Sequence, residues 1–184
     1  RVEQLCPQAT IISANEPLYQ AIHSEAETTL ADLAGPVEIR DLGEFLVEIS
    51  SLLCIFQSEE ELAEKLLTNV QRTTRLVPAL GIAGNKFAAA QASKQATSET
   101  GNILIVPNGN EKRFLDPLPL STLPDAPIDL LRRLHLLGIT TLGDFAKLPY
   151  EAVVNQFGKN LAILHDLACG KGTCPLSPKS PPSN

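Results

Sequence analysis

Several features that would assign the chain to a common class of protein are absent from the sequence. It contains no methionine, and no apolar run approaches the roughly 20 residues that a membrane-spanning helix requires. No signal-peptide pattern opens it either. We therefore expect a soluble, cytoplasmic protein whose natural start lies upstream of Arg1 or has been replaced.

Clustered metal ligands and clustered positive charge are missing as well. The cysteines form no CxxC pair and the histidines are scattered; these residues are Cys6, Cys54, Cys169, Cys174, His23, His135 and His165. Zinc sites usually draw their ligands from closely spaced pairs, so we predict reduced thiols and no zinc. The net charge of −6 argues against a protein that holds nucleic acid by charge alone, because neutralising phosphates requires a dense Lys/Arg surface.

Hydrophobic residues make up 43% of the 184 residues, which is enough for a buried core. In the first part of the chain their periodicity alternates between helical and strand patterns. The predicted helices are 15–34, 58–74 and 86–96, and the predicted strands are 37–40, 45–49, 52–56, 77–82 and 103–106. Asn15 and Ser58 are suited to cap the first two helices. The pattern predicts helices packed on a sheet.

The composition changes after residue 107. Prolines at 117, 119, 124, 127 and 149 break this part into short helices, because proline cannot continue a helix. The predicted helices are 119–123, 128–137, 141–147, 150–156 and 160–168. A separate all-helical subdomain is therefore expected, and the Pro/Ser-rich end of the chain is typical of a linker.

Five segments carry a resemblance to a known family. They are residues 5–9 (LCPQA), the Leu18-Tyr19 pair near the start of a helix, and residues 37–50 (VEIRDLGEFLVEIS), 80–92 (LGIAGNKFAAAQA) and 114–149. Their order and spacing resemble the Y-family (translesion) DNA polymerases, which include UmuC, DinB and ImuB proteins. The resemblance implies an α+β fold in which helices pack on the mixed or antiparallel sheet of a polymerase-type palm, followed by a small all-α helix-hairpin-helix thumb.

The same resemblance implies a division of the chain. Residues 1–14 would be the end of a fingers-like segment, 15–110 a palm-like α/β domain and 111–172 a thumb-like domain. Residues 173–184 would form the linker.

The palm of this family supplies metal-binding carboxylates, because nucleotidyl transfer uses two Mg²⁺ ions and Mg²⁺ requires oxygen ligands. The resemblance implies one Asp from a strand upstream of this chain and an Asp-Glu pair where this sequence has Gly43 and Glu44. Glycine supplies no ligand, so Glu44 is the remnant of the pair. Alternation along the strand predicts Asp41 on the opposite face, and Glu48 lies roughly 13 Å farther along. We predict no bound metal, with Mg²⁺ only if catalysis is retained.

Binding of the nucleotide triphosphate would require positive charge. Asn85 and Lys86 keep the family's helix opening, where backbone N–H groups suit an anion. The resemblance implies a triphosphate lysine at the position of Thr97, and Lys94 compensates for it only in part. Asn85, Lys86 and Lys94 are weak candidates for phosphate binding. The alternative is that Asn85 is only an N-cap and Lys86 only an exposed lysine.

The thumb of this family carries two hairpins that bind DNA through backbone N–H groups and glycines. Residues 124–127 (PDAP) replace the first, and the added acid and the proline without an N–H predict poor phosphate binding there. The second keeps Gly158, Lys159 and Asn160, with Asn160 as a good N-cap, and is the best candidate for DNA binding.

The segment between the hairpins holds further candidates. Gly138 and Thr141 belong to a connector that closely resembles the family's, and Thr141 can cap the next helix. Arg132 and Arg133 are interpreted as a solvated helix face in preference to a DNA contact.

Three functions follow from these patterns. The first is a non-catalytic, DNA-associated adaptor in DNA repair, similar to ImuB-type proteins, with primer-template DNA, a replicative polymerase or a sliding clamp as partners and a nucleoid-associated location. The second is an active or weakly active translesion polymerase fragment. The third is a helix-hairpin-helix module that binds a protein and no DNA.

Overall fold

The computed structural model describes residues 13–172, together with Gln8 and Ser177. Of the predicted fingers-like segment, residues 1–14, only Gln8, Ser13 and Ala14 are described. Cys6, Cys174 and the predicted linker except Ser177 also lie outside the described residues. No helix among the described residues is long and apolar enough to cross a membrane. Cys54 and Cys169 are both free thiols, and burial raises the pKa of Cys169.

The first helix, α1, spans Glu16–Ala34. It begins where predicted because the Asn15 side chain accepts a hydrogen bond from the Leu18 N–H at 3.3 Å. It ends at Gly35, whose φ of 79° lies in the left-handed region. Its buried residues, Ala26 and Ala34, lie in its second half, whereas Leu18 near the start is 49% exposed.

Two short sheets account for the strands of the described residues. Strands β1 (Val37–Asp41) and β2 (Glu44–Val47) pair antiparallel, and β3 (Leu80–Ile82) pairs with β4 (Ile103–Ile105) in parallel. The predicted strand 52–56 is wrong, because Leu52–Cys54 forms a 3₁₀ turn closed by hydrogen bonds from the Ile55 and Phe56 N–H groups to the Leu52 carbonyl. The predicted strand 77–82 is shorter than expected.

Two helices pack on these strands. Helix α2 spans Glu59–Thr74 and is capped by Ser58, as predicted. Helix α3 spans Lys86–Gln95 and covers β3 so closely that a Cβ on Gly81 would lie 2.3 Å from the carbonyl oxygen of Ala89. Glycine is required at that position of the strand.

Short helices make up the rest of the described chain. Helix α4, Glu111–Leu115, was not predicted and is followed by a 3₁₀ turn, Leu120–Thr122. The remaining helices agree with prediction to within one or two residues at each end; they are α5 (Ile128–Leu136), α6 (Leu142–Ala146), α7 (Tyr150–Phe157) and α8 (Lys159–Ala168).

The larger hydrophobic cluster joins the two parts of the chain. It contains Phe87 and Ala88 of α3 together with buried residues of the later helices, among them Leu115, Leu134 and Phe145. A smaller cluster lies between α1, α2 and the first hairpin. The later helices therefore rest on the start of α3, and the proposed domain division at residue 110 crosses a continuous core.

Candidate functional site

The turn between β1 and β2 contains the position at which the family resemblance implies a metal ligand. Gly43 occupies that position with φ of 81°, and a Cβ built on it would meet open space. Asp41 and Glu44 are register partners across the turn, with an irregularity between Ile39 and Asp41. The prediction that Asp41 and Glu44 lie on opposite faces is wrong, because the chain reverses between them and cross-strand partners share a face.

The tip of this hairpin is bound by helix α1. The Gly43 N–H donates a hydrogen bond to Nδ1 of His23 at 3.0 Å. The His23 ring stacks on Phe45 with ring centroids 4.7 Å apart. Sequence reasoning missed this contact, because a lone histidine on a helix gives no sign of a partner twenty residues away. The imidazole therefore holds the turn through one hydrogen bond and one ring contact.

The carboxylates around the hairpin already have partners. Asp41 accepts a hydrogen bond from the Leu42 N–H at 2.7 Å, and Glu48 accepts two from Ser50. The Ser50 hydroxyl and N–H lower the pKa of Glu48. Glu44 lies 4.0 Å from the Nζ of Lys94, with both side chains more than half exposed. The structure thus brings two predicted site residues together, as an ion pair.

In nucleotidyl-transfer sites Mg²⁺ is held by one or two protein carboxylates together with waters and phosphate oxygens. At the hairpin Gly43 provides none, Glu44 faces a lysine, and the His23 nitrogen is occupied by the backbone. Within the part of the chain that the structure describes, no three His, Cys, Asp or Glu side chains form a group that could hold a metal ion. The residues present do not fit the pair of ions that the fold family uses.

The helix opening at Asn85 is used for structure. Its Oδ1 accepts a hydrogen bond from the Ala88 N–H at 2.9 Å, which confirms the predicted N-cap. Its amide Nδ2 donates to the carbonyl of Gly170 at 3.0 Å, beyond the last helix. The preceding Gly84 N–H donates to the buried Glu111 carboxylate at 3.1 Å. The loop therefore joins α3 to α4 and to the end of α8.

Lys86, which is partly exposed, pairs with a buried carboxylate. Its Nζ donates to Oε2 of Glu38 at 2.5 Å, and that carboxylate is 7% exposed. The Ser177 N–H reaches the same oxygen at 2.6 Å, and Arg40 lies 3.6 Å from the other. Burial opposes the charge on Glu38, yet these donors hold its pKa below the usual value. The lysine is already neutralised, which contradicts the alternative of an exposed lysine and argues against a phosphate role.

The candidates in the helical part lie at helix ends. Thr141 caps α6 as predicted, accepting a hydrogen bond from the Asp144 N–H at 3.1 Å. Gly138 and Gly158 both have positive φ, of 77° and 86°. Helix α8 begins at Lys159 with Gly158 as its N-cap, so Asn160 lies inside the helix and its predicted capping role is wrong. Nothing is described of the side chains at positions 159 and 160.

Residues 124–127, which replace the first hairpin of the family, lie immediately before α5. Asp125 is exposed with φ of 51°, and Pro127 is the N-cap of α5. Arg132 and Arg133 are exposed on the helix that follows, which fits a solvated face and a DNA contact equally. Neither forms an ion pair with a described residue.

Comparison with curated proteins finds polymerases. The chain is 29% identical over 175 residues to a DNA polymerase IV of Desulfatibacillum aliphaticivorans, covering 95% of this chain and 44% of that protein. It is also 29% identical to a DNA polymerase IV of Yersinia pestis, covering 95% of the chain and 49% of the relative. The chain thus spans about half the length of the curated relatives it matches.

Solved structures share the fold. DinB from Sulfolobus solfataricus superimposes with a TM-score of 0.78 at 24% identity, covering 96% of this chain and 52% of that one. An insertion ternary complex of Dbh DNA polymerase gives a TM-score of 0.79 at 24% identity, covering 95% and 51%. The α+β fold is therefore that of the Y-family polymerase palm with its following helices.

The model of the impB/mucB/samB family matches residues 1–94, which is more than half of the chain. This match covers the hairpin and the opening of α3 at which the resemblance was first seen. By fold and by family model, the chain belongs to the impB/mucB/samB family of Y-family polymerases.

Proposed function

We propose that this chain is part of a DNA repair protein that has kept the Y-family scaffold and lost polymerase chemistry. It would act as a DNA-associated adaptor in translesion synthesis, with a replicative polymerase or a sliding clamp as its protein partner. The β1–β2 hairpin carries the proposal, because a glycine whose N–H is bound by His23 stands where a metal ligand is needed.

Two further features support the loss of catalysis. Lys86 is neutralised by a buried glutamate, so the helix opening offers little free positive charge to a triphosphate, and Lys94 lies in the last turn of the same helix, 4.0 Å from Glu44. Thr97, at the position of the expected lysine, instead caps the 3₁₀ turn Ser98–Thr100. Metal binding and triphosphate binding are weakened independently.

Association with DNA is proposed from the helical part. The polymerase IV relatives and the ternary complex of Dbh DNA polymerase align with it over nearly the whole chain. Gly158 leaves the space beside its Cα open at the start of α8, so a phosphate could approach the backbone closely. The opposite hairpin offers Asp125 and Pro127, which suit a phosphate poorly.

Primer extension tests the loss of catalysis. The intact protein that carries this chain is incubated with primed DNA and Mg²⁺ or Mn²⁺, beside its Glu44→Ala variant. The proposal predicts no incorporation by either protein. Incorporation that disappears in Glu44→Ala would show that the hairpin is catalytic and would overturn the proposal.

Binding to primed DNA tests the association. We expect modest affinity that falls with added salt, because phosphate contacts release counterions. Lys159→Glu should weaken binding about tenfold, whereas Lys147→Glu, on another helix, should change it less. Absence of binding at low salt, or equal loss in both variants, would remove the start of α8 as a DNA contact.

A further inference from the structure

The outer side of α5 exposes more apolar surface than a solvated helix needs. Ile128 and Leu136 are 83% and 80% exposed on this side, and Leu137, the C-cap, is 71% exposed just beyond the helix, whereas Leu134 on the opposite side is fully buried. Positions 128, 132 and 136 are spaced by four residues and therefore form one stripe, with Arg132 between the two apolar side chains. We call the set formed by Ile128, Arg132, Arg133 and Leu136 the α5 outer face.

Clustered exposed apolar side chains mark interaction sites more often than single ones do. On the α5 outer face the arginine stems continue the apolar surface between the aliphatic groups while their guanidinium groups remain in water. The two arginines form no ion pair with any described residue. Together with Asp129, they and Leu136 line a shallow open groove along the helix. The face thus combines apolar anchors with unpaired positive charge.

This combination does not suit DNA. A phosphate backbone offers nothing apolar to cover the large side chains of Ile128 and Leu136, and the end of the helix that would approach phosphate begins at Pro127, which has no N–H. Asp125 and Asp129 add negative charge at the same end. The arginines lie in the second half of the helix, beside the exposed leucines.

We propose that the α5 outer face binds an acidic amphipathic helix of a protein partner. Aliphatic side chains of the partner would pack between Ile128 and Leu136, and its carboxylates would pair with Arg132 and Arg133. Helix-in-groove recognition of this kind uses apolar anchors spaced by three and four residues. The inference does not depend on the loss of catalysis, because the face lies on α5 and the hairpin lies between β1 and β2.

The test uses labelled peptides and the intact chain. The probe is a short amphipathic helix with leucines at i, i+4 and i+8 and glutamates on its flanks. A scrambled peptide of the same composition and a peptide with lysines in place of the glutamates serve as controls. We expect the acidic helix to bind and both controls to bind at least about tenfold more weakly.

Variants then locate the site. Ile128→Ser combined with Leu136→Ser should weaken binding about tenfold or more, and Ile55→Ser, which removes an isolated side chain that is 76% exposed, should leave it unchanged. Arg132→Glu combined with Arg133→Glu should transfer the preference to the lysine peptide. This second pair keeps the test valid if the first pair unfolds, since both arginines are exposed.

Four results would overturn the proposal. The acidic helix could bind no better than its scrambled form, or the serine variant could bind like the native chain. Sedimentation equilibrium could show a dimer that the serine variant abolishes, which would assign the face to a second copy. Duplex DNA could displace the peptide and lose affinity in the same variants, which would assign the face to DNA.

Discussion

At the residue scale, Gly43 and His23 fix the conformation of the β1–β2 turn. Gly43 adopts a left-handed conformation that is strained for residues with a side chain, and it donates its N–H to His23. Neither fact could be deduced from the sequence. The sequence alone shows that a glycine stands at the position of the implied metal ligand. The positive φ and the histidine contact depend on how α1 lies against the turn.

Substitutions at Gly43 measure the strain. Gly43→Ala should lower the free energy of unfolding by about 1 kcal/mol, because alanine is disfavoured at positive φ. Gly43→Asn should cost less, since asparagine tolerates this region. Urea unfolding of the three proteins is the measurement, and equal stability of the alanine and native chains would show that the turn is not strained.

The buried pair of Glu38 and Lys86 gives a second prediction at this scale. Lys86→Met leaves a carboxylate that is 7% exposed without its ammonium partner and should destabilise the protein by about 2–3 kcal/mol at neutral pH. Lys112→Met, which breaks an exposed pair with Asp116, should cost about 0.5 kcal/mol or less. Similar losses in both variants would mean that burial of the pair does not matter.

The pH dependence follows from the lowered pKa of Glu38. A carboxylate whose folded pKa is depressed stabilises the fold above the unfolded pKa of about 4.3 and loses that contribution as pH falls through the folded value. Native stability should therefore decline below about pH 4.3, and the decline should be smaller in Lys86→Met, where the ammonium group no longer lowers the pKa of Glu38. Parallel unfolding curves from pH 3 to 7 would contradict this.

At the scale of elements, the loop that opens α3 is a junction between helices. Asn85 caps α3 and also donates to the carbonyl of Gly170, and Gly172 lies against its side chain. The sequence predicted the cap, because asparagine before an apolar run is typical of a helix start. The contact with Gly170 spans 85 residues and no local pattern reports it.

Substitution of Asn85 separates its two contacts. Asn85→Ala loses the cap and the bond to Gly170 and should cost about 2 kcal/mol, whereas Asn85→Asp keeps a capping oxygen and should cost less. Asn15→Ala, at the exposed start of α1, is the matched control and should cost about 1 kcal/mol or less. Hydrogen exchange in α8 should rise in Asn85→Ala alone, and unchanged exchange there would refute the junction.

At the scale of the whole molecule, the sequence predicted helices and their order well because capping residues and prolines mark their ends. It predicted strands less well: residues 52–56 have strand composition, yet hydrogen bonds from the Ile55 and Phe56 N–H groups to the Leu52 carbonyl close them into a turn. The hydrophobic cluster that joins α3 to the later helices was also beyond local patterns. The scaffold is that of the family, and at the hairpin Gly43 stands where the resemblance implies a metal ligand.

Binding of Mn²⁺ to the hairpin tests this account most directly. Paramagnetic broadening of backbone amide signals is recorded while Mn²⁺ is added to the isotope-labelled chain, with and without a deoxynucleoside triphosphate. We predict that Gly43, Glu44 and Phe45 broaden no sooner than other exposed acidic positions, and that Glu44→Gln changes nothing. Selective broadening of these three residues at equimolar metal, removed by Glu44→Gln, would contradict the account.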